Sequence, residues 1–421
     1  EGSLGVTGSA ARMERARGAQ PALGIRALPD ELLVRVLAHL PSIRDFGRAD
    51  CVCRAWHAAG SLVELALRQR ITARGGTVPF APAHGPSLTQ RMCWLELSRA
   101  ARAASCWFSA GGLTSAAVDA EGRLHVWGEF NDPEGGGSIF SHRVPTPVPS
   151  LLATRVLCVS IGDYHGLVLT DTGEVLSFGY EECGRLGHGD KADQPEPKVI
   201  EALRSVRTVA IAAGAHHSMV LTKEGAVLSF GHGECGRLGH GDEEDQLEPK
   251  VIEALRGVRV GAIAAGDEHS MVLTDEGMVI SFGSEECGRL GHGDEEDQLE
   301  PKVIEALRGV PVAAIAAGSR HSMVLTHLGR VISFGNGTGG KLGHGDQEDQ
   351  REPKEIEALR DRRVVAIAAG YDHSMVLTDA GTVLSFGDGM RGVLGHGDHR
   401  RQQRPKEIEA LRGVRVVAIS A

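Results

Sequence analysis

The stretch Gly214-Ala215-His216-His217-Ser218-Met219-Val220-Leu221-Thr222-Lys223-Glu224-Gly225-Ala226-Val227-Leu228-Ser229-Phe230-Gly231 decides the fold. Two short apolar runs, Met219–Leu221 and Val227–Phe230, flank a turn that ends in glycine, the pattern of a β-hairpin. Neither run alternates apolar with polar residues, so both faces of the hairpin are expected to be buried. A long polar loop follows, then Glu248-Pro249-Lys250-Val251-Ile252-Glu253-Ala254-Leu255, and an apolar strand ending Ala-Ala-Gly leads into the next hairpin.

The unit repeats. Leu-Gly-His-Gly-Asp occurs at 186–190, 238–242, 290–294, 342–346 and 394–398, always 52 residues on. Residues 214–265 and 266–317 agree at 43 of 52 positions. A unit of this length, all β and buried on two faces, predicts a β-propeller blade rather than a turn of a linear solenoid, whose repeats are shorter. The hairpin and loop occur six times, beginning with a divergent copy at 112–128, whereas the strand before the hairpin occurs seven times, last at Val414–Ala421. The count predicts six to seven blades. The last strand reads as a truncated seventh unit, or as a closure strand overlapping six blades.

The Gly-x-x-His-Ser-Met-Val-Leu-Thr…Phe-Gly…Gly-Arg-Leu-Gly-His-Gly pattern resembles the regulator of chromosome condensation repeat, over about residues 104–421. That resemblance implies a seven-bladed propeller.

The chain has 421 residues and a formal charge of −10, unevenly placed. Residues 1–110 hold 14 Arg, no Lys and 8 acids, a net +6; the remainder holds 31 bases and 47 acids, a net −16. The acidic repeats argue against broad nucleic-acid binding. No run of 18 apolar residues predicts a membrane span, and no apolar segment near the start predicts a secretory signal. Reduced thiols and a location in the cytoplasm and/or nucleus are therefore expected, with no membrane partner.

Residues 1–25 hold few large apolar side chains and read as disordered. Residues 26–70 read as three short helices. Asp30 caps the first, Leu32, Leu33, Val36, Leu37 and Leu40 follow at helical spacing, and Pro41 ends it. Phe46, Ala49, Cys53 and Trp56 form a second stripe. Residues 71–103 read as a Pro- and Gly-containing linker and a helix. The helical segment resembles an F-box, on Leu28-Pro29, Glu31-Leu32-Leu33, Val36-Leu37, Leu40-Pro41, Val52-Cys53-Arg54 and Trp56; Glu64 stands near where many F-boxes carry a second Trp. The resemblance implies that Leu28, Pro29, Leu32, Leu33, Val36, Leu37, Leu40, Pro41, Val52, Cys53 and Trp56 dock on a Skp adaptor and bring the chain to a cullin complex.

No catalytic constellation emerges. His165, His217, His269, His321 and His373 recur once per unit, as do His188, His240, His292, His344 and His396, and such repetition predicts structural hydrogen bonds to neighbouring backbone. The repeated histidines suggest no metal site, and no cofactor is expected. His217 beside Ser218 is adjacency, not a triad. Cys183, Cys235 and Cys287, replaced by Gly339 and Arg391 in later units, read as small packed residues. The Asp242-Glu243-Glu244-Asp245 loop and its repeats read as a solvated rim or as an acidic belt for a basic partner.

Departures from the repeat are more informative. After Ala-Ala-Gly stand Asp163-Tyr164, Ala215-His216, Asp267-Glu268, Ser319-Arg320 and Tyr371-Asp372; after Phe-Gly stand Tyr180-Glu181, His232-Gly233, Ser284-Glu285, Asn336-Gly337 and Asp388-Gly389. Both sets flank the same hairpin and should lie at blade ends, where binding residues sit on rigid scaffolds. Asp163, Tyr164, Tyr180, His216, His232, Asp267, Glu268, Arg320, Tyr371 and Asp372 are the substrate-binding candidates.

Together these readings suggest a non-catalytic substrate receptor of a Skp–cullin–F-box ubiquitin ligase, whose propeller holds a still unknown protein substrate. The alternatives are a guanine-nucleotide exchange factor for a Ran-like small GTPase, or a plain propeller scaffold. A plant-type UV-B photoreceptor would use blade tryptophans, but here Trp56, Trp94, Trp107 and Trp127 all precede the five strong repeats.

Overall fold

A computed structural model describes residues 107–130 and 141–421. The F-box positions Leu28 to Trp56 and the segments 1–25 and 71–103 lie outside the described residues. The described chain forms six four-stranded antiparallel sheets, each paired in sequence order. In blade three an inner strand, Thr208–Ala213, precedes the hairpin strands His217–Thr222 and Val227–Gly231, and the outer strand is Gln246–Val251. The hairpin is in register from His217↔Gly231 to Leu221↔Val227, and every residue of both its strands is buried, as expected of strands covered on both faces.

The core lies between blades. Leu167, Leu169 and Val175 of blade two pack with Ile211, Val220, Leu228 and Phe230 of blade three. In blades two to five the first glycine of the Leu-Gly-His-Gly loop seats the next blade's phenylalanine: a Cβ on Gly187 would come within 2.7 Å of the Phe230 ring, and one on Gly239 within 2.8 Å of Phe282. The inner strands need Gly for a different reason. A Cβ on Gly162 would meet the Gly214 carbonyl oxygen at 2.0 Å and one on Gly214 the Gly266 carbonyl oxygen at 2.3 Å, so the glycines that follow the inner strands let their neighbours crowd together at the axis.

Six sheets are complete, and residues 414–421 pair in none of them. They nevertheless take the inner place beside blade one. Ala110 N donates to Ser420 Oγ at 3.2 Å, as Ile161 N donates to Ser109 Oγ at 2.9 Å and Ala213 N to Ser160 Oγ at 3.0 Å between consecutive blades.

The repeated histidines tie blades together through serine rather than bonding backbone directly. Ser218 Oγ donates to the Arg185 carbonyl at 2.9 Å, so its oxygen accepts from His165 Nε2 at 2.7 Å. The same relay runs through His217–Ser270–Arg237, His269–Ser322–Arg289 and His321–Ser374–Lys341. Burial, then the nearby Arg237, pushes His217 down to about 3, which keeps the ring neutral. The second histidine series bonds within its own blade: Ser177 Oγ donates to Leu186 O at 2.7 Å and lies 3.0 Å from His188 Nε2.

The cysteine positions have a backbone cause. Cys183, Cys235 and Cys287 sit at φ 59°, 57° and 63°, and Arg391 and Gly339 occupy the same left-handed position at 58° and 77°. The position selects for a tight turn, not for a small packed side chain, since Arg fills it in blade six.

Candidate functional site

The Ala-Ala-Gly ends of the inner strands ring a central cavity of about 860 Å³. Into its mouth the first variable residues of blades two to six deliver Asp163, Ala215, Asp267, Ser319 and Tyr371. Two of these are half-buried acids. Asp163 is pushed up to about 6, first by burial and then by the Asp267 charge, against a hydrogen bond from the Gly112 N–H. Burial also raises Asp267, although the Ser319 hydroxyl donates to its Oδ2. Tyr371 stands 58% exposed beside them, an aromatic face open to a ligand. The mouth therefore joins carboxyl groups, a hydroxyl and an exposed ring, a surface suited to a polar, cationic group on a protein partner.

The second variable residues meet a buried cation that the sequence reading missed. Arg185, Arg237, Arg289 and Lys341 are each at most 1% exposed. Arg289 Nη1 donates to Glu268 Oε2 at 2.7 Å, and Lys341 Nζ to Asp372 Oδ1 at 2.6 Å. Arg185 lies 5.1 Å from the centre of the Tyr164 ring, and Tyr164 in turn lies 5.3 Å from His216. Arg185 and Arg237, after burial, push His216 down to about 4. Arg320 is exposed and reaches Glu286 at 3.8 Å. The signal was present in the sequence: Lys341 replaces Arg in the unit preceding Asp372.

The second variable set divides. Tyr180 is 5% exposed in the core formed by blades one and two, with Val126, Phe130 and Phe178, so it presents no surface to a partner. His232 is half-buried at the junction of blades two and three, where its ring lies 6.2 Å from His216. There Cys183, His232 and Asp245 each bring a ligand atom within 4.8 Å of the other two. This His occurs at its place in one unit alone, so no repeat marks it in the sequence.

The acidic loops are in large part internal structure. Asp242 Oδ1 accepts from Glu244 N at 3.2 Å, and Asp245 Oδ1 from Gly233 N at 2.9 Å. The corresponding acids of the next blade do the same: Asp294 holds Glu296 N at 3.4 Å and Asp297 holds Glu285 N at 2.8 Å.

The comparisons agree with this architecture. An RCC1-like domain matches residues 83–421 and an F-box-like domain residues 25–65. The ultraviolet-B receptor UVR8 of Arabidopsis thaliana is 34% identical over 314 residues, 74% of this chain and 71% of that protein. The human E3 ubiquitin-protein ligase HERC2 is 39% identical over 311 residues, 73% of this chain but 6% of HERC2, so the chain spans a small fraction of that relative's length. Among solved structures, human WBSCR16 aligns with a TM-score of 0.63 at 25% identity, covering 72% of this chain and 80% of that one. Yeast RCC1 bound to Kap60 aligns at 0.62 and 24% identity, covering 72% and 74%, a likeness of fold. The six propeller blades, the 52-residue unit and these matches agree: the chain belongs to the RCC1-like domain family and carries an F-box-like segment before its propeller.

Proposed function

We propose that this chain is a substrate-receptor subunit of a Skp–cullin–F-box ubiquitin ligase. One observation carries the reading: an F-box-like segment at 25–65 stands before a propeller whose variable residues gather around one axial mouth. The F-box docks on the Skp adaptor through Leu32, Leu33, Val36, Leu37, Leu40 and Trp56, and the mouth at Asp163, Asp267 and Tyr371 engages the target. The chain performs no bond chemistry of its own, and ubiquitin transfer belongs to the other subunits.

The test is binding of the full chain to purified Skp adaptor, with Leu37→Asp alongside. A buried interface anchor contributes at least about 2 kcal/mol, so the variant should bind about 30-fold more weakly or worse. The propeller's thermal transition should stay unchanged, since the substitution lies outside it. No binding by the unaltered chain refutes the reading. Accelerated nucleotide exchange on a Ran-like GTPase would favour the exchange-factor alternative instead.

A further inference from the structure

We propose that Cys183, His232 and Asp245 form a binding site for a zinc-class divalent transition metal at the junction of blades two and three. The repeat supplies an internal comparison. Cys183 with Asp245, Cys235 with Asp297 and Cys287 with Asp349 are the same pair in three successive junctions, 52 residues apart. The third member differs: His232 in the first, Ser284 in the second, Asn336 in the third.

The third junction shows what that place can reach. Asn336 Nδ2 lies 3.4 Å from Cys287 Sγ and 3.1 Å from Asp349 Oδ1, so a side chain there bridges the thiol and the carboxylate. With histidine at this place the bridge becomes a third ligand. Its Nε2 lies 4.0 Å from Asp245 Oδ1, and Glu234 Oε2 stands 3.8 Å from its Nδ1, where an outer carboxylate can orient a ligating ring. The cysteine comes from a turn fixed in the left-handed region at φ 59°, which aims its side chain without a flexible backbone.

The donor set selects the metal. A thiolate, an imidazole and a carboxylate suit zinc and its first-row neighbours, whereas calcium and magnesium take oxygen ligands. Tetrahedral bonds to zinc of ~2.0–2.3 Å place ligand atoms ~3.3–3.8 Å apart, so the observed spacing within 4.8 Å closes by side-chain rotation. Cys183 and His232 are half-buried and Asp245 is exposed, which leaves a path for the ion and a fourth position for water. Asp245 Oδ1 accepts from Gly233 N, and the Cys183 thiol bonds to the same carboxylate, so two of the three ligand groups already meet. On binding, the Cys183 S–H proton passes to solvent, the sulfur–metal bond forms, and no redox change occurs.

Cobalt(II) titrated into the reduced full chain tests the site, read by the near-ultraviolet thiolate-to-cobalt charge-transfer band. One equivalent should produce the band, and zinc should displace it. Cys183→Gly should abolish it, and the fold should survive because Gly339 occupies the same turn at φ 77°. His232→Ser, which installs the residue found at 284, should weaken cobalt binding at least about tenfold. Cys235→Gly and Cys287→Gly should leave the band intact. Absence of a band, a band that survives Cys183→Gly, or unchanged affinity in His232→Ser would each overturn the proposal.

Discussion

Replacing Asp163 by Asn should stabilise the propeller at neutral pH and leave it unchanged in acid. Asp163 moves from its ordinary 3.8 to about 6 on folding, because burial and then the Asp267 charge disfavour its ionised form. Below about pH 4 the carboxyl is protonated in both folded and unfolded chains, and its ionisation costs folding nothing. Between about pH 4 and 6 the unfolded chain has lost the proton while the folded chain retains it, so stability falls as pH rises. Above about pH 6 the penalty is complete. The difference between 3.8 and about 6 corresponds to about 3 kcal/mol at 1.4 kcal/mol per pH unit, and water at the open mouth reduces this to about 1–3 kcal/mol. Asn keeps an oxygen for the Gly112 N–H. Chemical denaturation of the two proteins at a series of pH values measures the gap directly. Groups common to both, such as His217, move the absolute stability but cancel in the difference. In an Asp267→Asn background the gap should shrink, since the second cause of the shift is gone. A gap that does not vary with pH, or a D163N protein less stable than its parent at neutral pH, would refute the argument.

Gly162→Ala should lower the thermal transition sharply, because the new Cβ meets the Gly214 carbonyl oxygen at 2.0 Å; Gly173→Ala, with nothing within 4 Å but φ +86°, should cost only about 1 kcal/mol. Ser218→Ala removes the hydroxyl between His165 Nε2 and the Arg185 carbonyl, leaving two buried groups unpaired at about 1–3 kcal/mol each, so denaturation should show a loss of about 2–6 kcal/mol; a loss below about 0.5 kcal/mol would deny the relay its role. Asp372→Ala strips the partner from Lys341, which is 1% exposed, and should cost about 1–3 kcal/mol by the same measurement, moderated because Asp372 itself is 48% exposed.

The hairpins and their two-sided burial were legible in the sequence because the apolar runs, turn glycines and repeat length all point to one unit. The outer strand was not. Gln246–Val251 is polar, contains Pro249 and pairs on one side alone, so it carries no apolar pattern and reads as the tail of a loop. The buried cations were hidden for a related reason. Arg237 and Arg289 stand in a polar, glycine-rich loop, the ordinary setting of a solvated side chain, yet both are buried where serines of the next blade bond their carbonyls. Tyr180 fails in the opposite sense: it varies like a surface residue, but its blade uses it to fill the core beside divergent blade one.

These outcomes bear on where recognition resides. A residue that varies between near-identical units can do so because nothing constrains it, because it compensates a neighbour, or because it meets something outside the fold. The second variable positions fall largely in the middle class, since Glu268 and Asp372 neutralise buried Arg289 and Lys341 while Tyr164 faces Arg185. Tyr180 joins them as a packing residue. The first variable positions do not divide this way. Asp163, Asp267, Ser319 and Tyr371 come from four blades, converge on one cavity, and keep two acids at a cost to folding. Drift would not be expected to retain a destabilising pair of carboxyls at one mouth, since natural chains tolerate such strain where a function uses it. On this argument the axial mouth, rather than the acidic outer loops that serve as turn-makers, is the surface where a target's basic group would be read.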